Sequence, residues 1–185
     1  KLTTAFATPL LLGLALLAEP LISAWIGPEF KQSVQVCQWL VAAVMISTIH
    51  GNTDNILSMG GYQKFLAFSI LGCQVLNLGF SLFLIHLYGI TGVAMATFIA
   101  YVPIYAGLIQ TKAGRIHERS HWNFYKHTVF PSIAPALLMA AFLVGIQRYR
   151  PVTNLVEVAV LEILGCMVFA GAFWLIGFSG KERAY

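Results

Sequence analysis

The sequence predicts an all-α protein that crosses a membrane several times, and three observations carry that prediction. Hydrophobic residues make up 58% of the 185 residues and charged ones 10%, with a mean hydropathy of +0.78, a balance no soluble domain of this size carries. The runs Phe65 to Leu87 and Ile90 to Ile109 contain no formal charge. At about 1.5 Å per helical residue, each is long enough to cross a hydrocarbon core of roughly 30 Å. Lys and Arg are concentrated in the stretches between apolar runs, where anionic lipid is a nearer partner for the +4 net charge than nucleic acid is.

Six spans are expected, at about 5–26, 35–59, 65–87, 90–110, 127–147 and 154–178. Continuous apolar length identifies them, as it does for helices bathed in lipid. The first run is too long for the apolar region of a secretory signal and lacks a small-residue cleavage site, so it reads as a helix. Within it Pro20 is placed to kink the helix and free a carbonyl. Gly27-Pro28 ends the first span, Gly60-Gly61 the second, and Pro151 marks the turn before the sixth. The turn Tyr88-Gly89-Ile90-Thr91-Gly92 is so short that the third and fourth helices must run antiparallel, side by side. Gly92, Ala96 and Ala100 then fall on one face of the fourth helix. Small residues at that spacing let backbones approach where no hydrophobic effect drives helices together, so this face is expected to be a packing seam. Only the junction from Gln110 to Lys126 is long.

The junctions alternate in charge. One side carries Lys1, Lys64, Lys112, Arg115, Arg119, Lys126, Lys181 and Arg183; the other carries Lys31, Arg148 and Arg150. The positive-inside rule makes the first set cytoplasmic, so the first helix runs outward and the C-terminus lies inside, in a cytoplasmic (inner) membrane. Cys37, Cys73 and Cys166 lie singly in apolar runs, a pattern that indicates neither a metal site nor a disulfide framework. No cofactor is expected.

Three runs carry a resemblance. NLGFSLFLIHLYGITGVAMAT at 77–97, with Asn77, Gly89, Gly92 and the small residues after them, is similar to the helix-turn-helix of the polysaccharide biosynthesis C-terminal domain. LAEPLISAWIGPEF at 17–30 resembles that family's apolar helix closing on a Gly and an acidic-aromatic pair, and NILSMGGYQK at 55–64 resembles its next inter-helix turn. The domain belongs to flippases of lipid-linked oligosaccharides in the multidrug/oligosaccharidyl-lipid/polysaccharide exporter superfamily. The likeness covers about residues 5 to 112. It implies a four-helix transmembrane unit at 1–112, a basic-aromatic junction at 113–126 and an appended helix pair at 127–185. It further implies a two-lobe transporter of which this chain is the C-terminal part, with Lys1 a truncation point and an N-terminal lobe of the same protein as a partner. Substrate by this implication is a lipid-linked oligosaccharide or polysaccharide precursor, moved by alternating access with sodium or protons as candidate coupling ions. A multidrug cation antiporter of the same superfamily and a membrane-embedded polysaccharide polymerase or acyltransferase are the alternatives. A transporter, not an enzyme, is the expectation, because the external junctions are too short to house a substrate-binding domain.

Polar groups within the spans are the candidate site. A lone charge at the middle of a membrane helix costs roughly 2.5 to 3.5 kcal/mol by insertion scales, so such residues face a polar cavity or a partner. The second span is richest, with Ser47, His50, Asp54 and Asn55; His50 and Asp54, four apart, share a face. Gln74 and Asn77 extend the set on the third span, and Glu19 lies toward the outer mouth of the first. Lining a cavity and bonding helix to helix are both open readings of this set. Glu157 is placed for an interfacial ion pair with Arg148 or Arg150, and Glu162, deeper, has no partner evident in the sequence. In the junction TKAGRIHERSHWNFYK, Lys112, Arg115, Arg119 and Lys126, with Lys64 before it, are candidates for phosphate or lipid headgroups. The accompanying Trp122, Phe124 and Tyr125 suit an interfacial segment at headgroup depth as well. His117, His121 and His127 do not make a convincing metal set beside so many cations.

Overall fold

The computed structural model describes residues 2–116, 121–150 and 152–176, which are 92% helical with no strand among them. Five helices are long and apolar enough to cross a membrane, and a bent pair at the start brings the number to six if the pair is one broken span. The chain is an all-α, polytopic membrane protein. Its helices are α1 (Leu2–Leu16), α2 (Ala18–Trp25), α3 (Gln32–Met59), α4 (Gln63–Tyr88), α5 (Ile90–Tyr101), α6 (Gln110–Ile116), α7 (His121–Thr128), α8 (Phe130–Tyr149) and α9 (Leu155–Ile176). A 3₁₀ turn (Pro28–Phe30) precedes α3, and a π-helical stretch (Val102–Ile109) joins α5 to α6 in one long rod. The expected junction after Gln110 is thus largely helical. Lys1, His117, Glu118, Arg119, Lys181 and Arg183, and the side chains of His121 and His127, lie outside the described residues.

Two compact units form, and they follow contacts rather than chain order: 1–34 with 125–185, and 35–124. In the first, α1 packs on α8 and α9 around Leu17, Met139, Leu143, Val158, Leu161, Phe169 and Phe173. The expected first span is broken at Leu17, where α1 and α2 diverge by 62°. Pro20 explains the break. It has no N–H to bond the carbonyl of Leu16 four residues back, and an unmet carbonyl in lipid costs several kcal/mol. The Nε2 group of Gln147 on α8 supplies the missing donor, lying 3.5 Å from the Leu16 oxygen and 3.3 Å from that of Leu143. At the turn of the α8–α9 hairpin, Arg150 binds Glu157 at 2.8 Å and the Thr153 N–H donates to the same carboxylate at 3.2 Å, the ion pair expected at the boundary.

In the second unit α4 and α5 form an antiparallel hairpin turned at Gly89, whose φ of +59° an L side chain rarely adopts. The small-residue face of α5 looks at α4. Gly92 lies against the Leu84 backbone, and the Cys73 thiol approaches the Ala100 carbonyl at 3.6 Å. Ala96 and Ala100 are wholly buried. Leu57 of α3 joins Leu66, Cys73, Ala100, Ile104 and Ile109 in a core that ties α3 to the α5–α6 rod. Trp39 adds an edge-to-face contact with Phe98 at 5.3 Å. Ala96→Leu inserts a branched side chain into the α4–α5 seam and should cost about 1 to 3 kcal/mol. Thermal stability and membrane abundance of the full-length protein should both fall; unchanged values would place Ala96 against lipid.

Candidate functional site

The candidate site lies in the second unit, where α3 faces the π-helical stretch. The sequence His50-Gly51-Asn52-Thr53-Asp54-Asn55 is a poor helix former by intrinsic propensity, so its helical state rests on packing. Apolar anchors at Trp39 and Leu57 bracket it. Helical spacing puts His50, Thr53, Asp54 and Leu57 on one face; His50, Thr53 and Leu57 are buried, Asp54 is half-buried, and Asn52, Asn55, Ile56 and Met59 are exposed.

Opposite them the rod departs from α-helical register. Val102 N–H still bonds the Phe98 carbonyl four residues back, but Gln110 N–H reaches the Tyr105 carbonyl five residues back. Pro103, which has no N–H to offer Ile99, opens the wider stretch. Such stretches are uncommon and gather at functional sites. Within and just after this stretch, Tyr105 and Gln110 lie on the α3 side. Thr53 Oγ1 donates to Gln110 Oε1 at 3.2 Å, a buried link between α3 and the rod. The Asp54 carboxyl is within electrostatic reach of the Tyr105 hydroxyl, and the Tyr105 ring sits 5.2 Å from that of Tyr101. His50 presents its ring at 90° to Phe124 of α7, 5.6 Å away. Asp54 Oδ1 is enclosed and has no hydrogen-bond partner among the described residues.

The sequence-predicted residues separate into distinct roles. His50 and Asp54 stand together at the site. Ser47 donates to its own helix at the Val44 carbonyl, 2.9 Å away. Asn77 Oδ1 accepts from Ser81 at 3.2 Å and Thr97 at 3.4 Å, bonding α4 to α5. Gln74 and Asn55 are exposed, and Glu19 is exposed on α2 in the other unit. Of the basic candidates, Lys112 holds its ammonium over the rings of Tyr62 and Phe65, 5.0 and 5.7 Å from their centroids. Lys64, Arg115 and Lys126 are exposed, and Arg119 is not described. An ammonium on aromatic faces with further cations nearby in sequence is the composition of a headgroup-level anchor. Thr53, Tyr105 and Gln110 escape a reading based on apolar length, which takes Tyr as part of the run and Gln110 as its end. The signals that point to them are Pro103, as a register breaker, and the i+3 position of Thr53 from His50. Among the described residues no three His, Cys, Asp or Glu side chains gather as a metal-binding group. Comparison with family models, curated proteins and solved structures returns no match for this chain.

The Thr53–Gln110 bond has an energetic signature of its own. Removing one partner leaves a buried polar group unmet, which costs about 1 to 3 kcal/mol, whereas replacing both with apolar groups is closer to neutral. Thr53→Val and Gln110→Leu should therefore each lower the melting temperature of the full-length protein, and the double variant should recover part of the loss. Strict additivity of the two losses would show that the bond does not couple α3 to the rod.

Proposed function

We propose that this chain forms one wall of a membrane transporter that carries a lipid-linked oligosaccharide or polysaccharide precursor across the cytoplasmic membrane by alternating access. The observation that carries this reading is the enclosed Asp54 oxygen on the face of α3 that meets the rod, without a hydrogen-bond partner among the described residues. A carboxyl in a membrane span without a partner is expensive unless water or a ligand reaches it. Asp54, Tyr105 and the amide of Gln110 offer acceptors and donors of the kind sugar hydroxyls require. The lipid tail stays in the bilayer while the headgroup passes along this wall. The resemblance of residues 17–30, 55–64 and 77–97 to flippase segments supports the same assignment. Lys64, Lys112 and Arg115 take the headgroup-level phosphates in this account.

The paired rings of Tyr101 and Tyr105, with the Asp54 carboxyl within electrostatic reach, favour a second reading, an exporter of organic cations, since aromatic faces attract cations. Asp54→Asn keeps the shape of the side chain and removes its charge. In the full-length protein it should preserve membrane abundance while lowering glycan export by about tenfold, equivalent to about 1.4 kcal/mol of lost interaction. Normal glycan export with lost efflux of lipophilic cations would favour the second reading. Normal activity in both assays would remove Asp54 from the transport path.

Orientation belongs to the same proposal. The basic asymmetry of the junctions supports a cytoplasmic C-terminus. Cysteines introduced at Gly27 and Pro151 should react with a membrane-impermeant reagent in intact cells, and those at Gly61 and Ser120 only after permeabilisation. The reverse pattern would invert the topology.

A further inference from the structure

Glu162 lies on α9, seven residues from the helix start and so about 10 Å along its axis. Its carboxyl is seated directly on Gly13 of α1, in space that any larger residue at position 13 would fill with its Cβ. Oε2 is enclosed there with no hydrogen-bond partner among the described residues, and Oε1 receives only the Cys166 thiol, at 3.7 Å. The elements packed against α9 are α1, α2 and α8. None of them brings a cation to this carboxyl. α1 carries no titratable side chain, α2 contributes Glu19, and α8 has Arg148 and Tyr149 in its last turn, both exposed and neither paired with Glu162 among the described residues. On α9 itself the other titratable groups are Cys166 and Glu157, and Glu157 is held by Arg150.

A bare carboxylate in that position would set a full charge in an apolar helix contact, at the end of α1 where the last carbonyls already carry partial negative charge. A proton removes the conflict at no cost in volume. We propose that Glu162 is a proton-binding site within the membrane, occupied while its carboxyl rests in the Gly13 notch and released to water when α1 and α9 separate. The exchange is a simple acid–base step: the carboxylate takes a proton from hydronium as the notch closes and returns it to water as the notch opens. The bend at Leu17, one turn beyond Gly13, gives α1 a place to move independently of α2. This site is in the first compact unit and is independent of the identity of the cargo.

Hydrophobic carbodiimides add to protonated carboxyls in apolar surroundings and leave a stable N-acylurea that peptide mass spectrometry locates. An ordinary glutamate, titrating at about 4.3, loses more than about fifty-fold of its protonated form between about pH 5 and about pH 7. Applied to the full-length protein in membranes, the reagent should label Glu162 at about pH 7 within roughly twofold of its labelling at about pH 5. It should do so equally in sodium and potassium media. An ordinary fall over that interval overturns the proposal, and so does suppression by sodium at constant pH, which would assign the site to a metal cation.

If the reagent labels nothing at the lower pH, it does not reach the notch, and stability decides instead. A carboxyl that holds its proton more firmly folded than unfolded stabilises the fold at low pH and loses that contribution as pH rises through its folded titration range. The melting temperature of the wild-type protein should therefore fall more steeply with rising pH than that of Glu162→Gln, which keeps the neutral shape. Parallel curves overturn the proposal.

Discussion

The absence of water in the bilayer core is the constraint on which this structure depends, because every backbone N–H and carbonyl there must find its partner inside the protein. Regular helices meet it by default. The informative places are those where proline interrupts the ladder. At Pro20 the chain breaks, bends by 62° and lets Gln147 of a distant helix reach the freed Leu16 carbonyl. At Pro103 the rod stays continuous and widens its register instead, closing again when Gln110 N–H meets the Tyr105 carbonyl. One defect is mended by a neighbour and the other by the helix itself. The first recruits a long-range contact that fixes α1 on α8; the second lies where the rod meets α3.

Side chains obey the same constraint, and three of the carboxylates within or beside the spans show three solutions. Glu157, at a helix start, has Arg150 and a backbone N–H. Glu162 has a glycine notch and a thiol. Asp54 has a tyrosine hydroxyl within electrostatic reach and one oxygen left over. Glu157 is fully met, whereas Glu162 and Asp54 each keep one oxygen without a hydrogen-bond partner among the described residues. We assign structural, proton-binding and ligand-facing roles in that order, since an unmet acceptor in an apolar medium persists only where something else supplies the donor.

Much of this fold is legible in the sequence, for a physical reason: in lipid, apolar length alone specifies a span. The runs ending at Gly60-Gly61 and at Tyr88 emerge as α3 and α4. The small residues of α5 emerge as a seam because backbone approach is a local property of the residues that permit it. Pro20 signals a break, although its sharpness depends on how α1 is held by α8. The pairing of Gly13 with Glu162 and the grouping of the first helix with the last two are products of long-range packing that no local pattern encodes. The candidate site is legible by half. The shared face of His50 and Asp54 follows from helical spacing, but Tyr105 and Gln110 meet α3 from a stretch whose π register no apolar pattern announces. Asn77, polar and central, is occupied in joining α4 to α5, and its sequence position alone does not distinguish that role from cavity lining.

In the proposed transporter, the face that carries Asp54 and Tyr105 borders water within the membrane. In the full-length protein with Cys37, Cys73 and Cys166 replaced, single cysteines at positions 54, 105 and 96 can be exposed in native membranes to a small, polar thiol reagent. Asp54→Cys and Tyr105→Cys should react during transport, and Ala96→Cys, sealed between α4 and α5, should not. Equal inertness at all three positions would contradict a water-lined face.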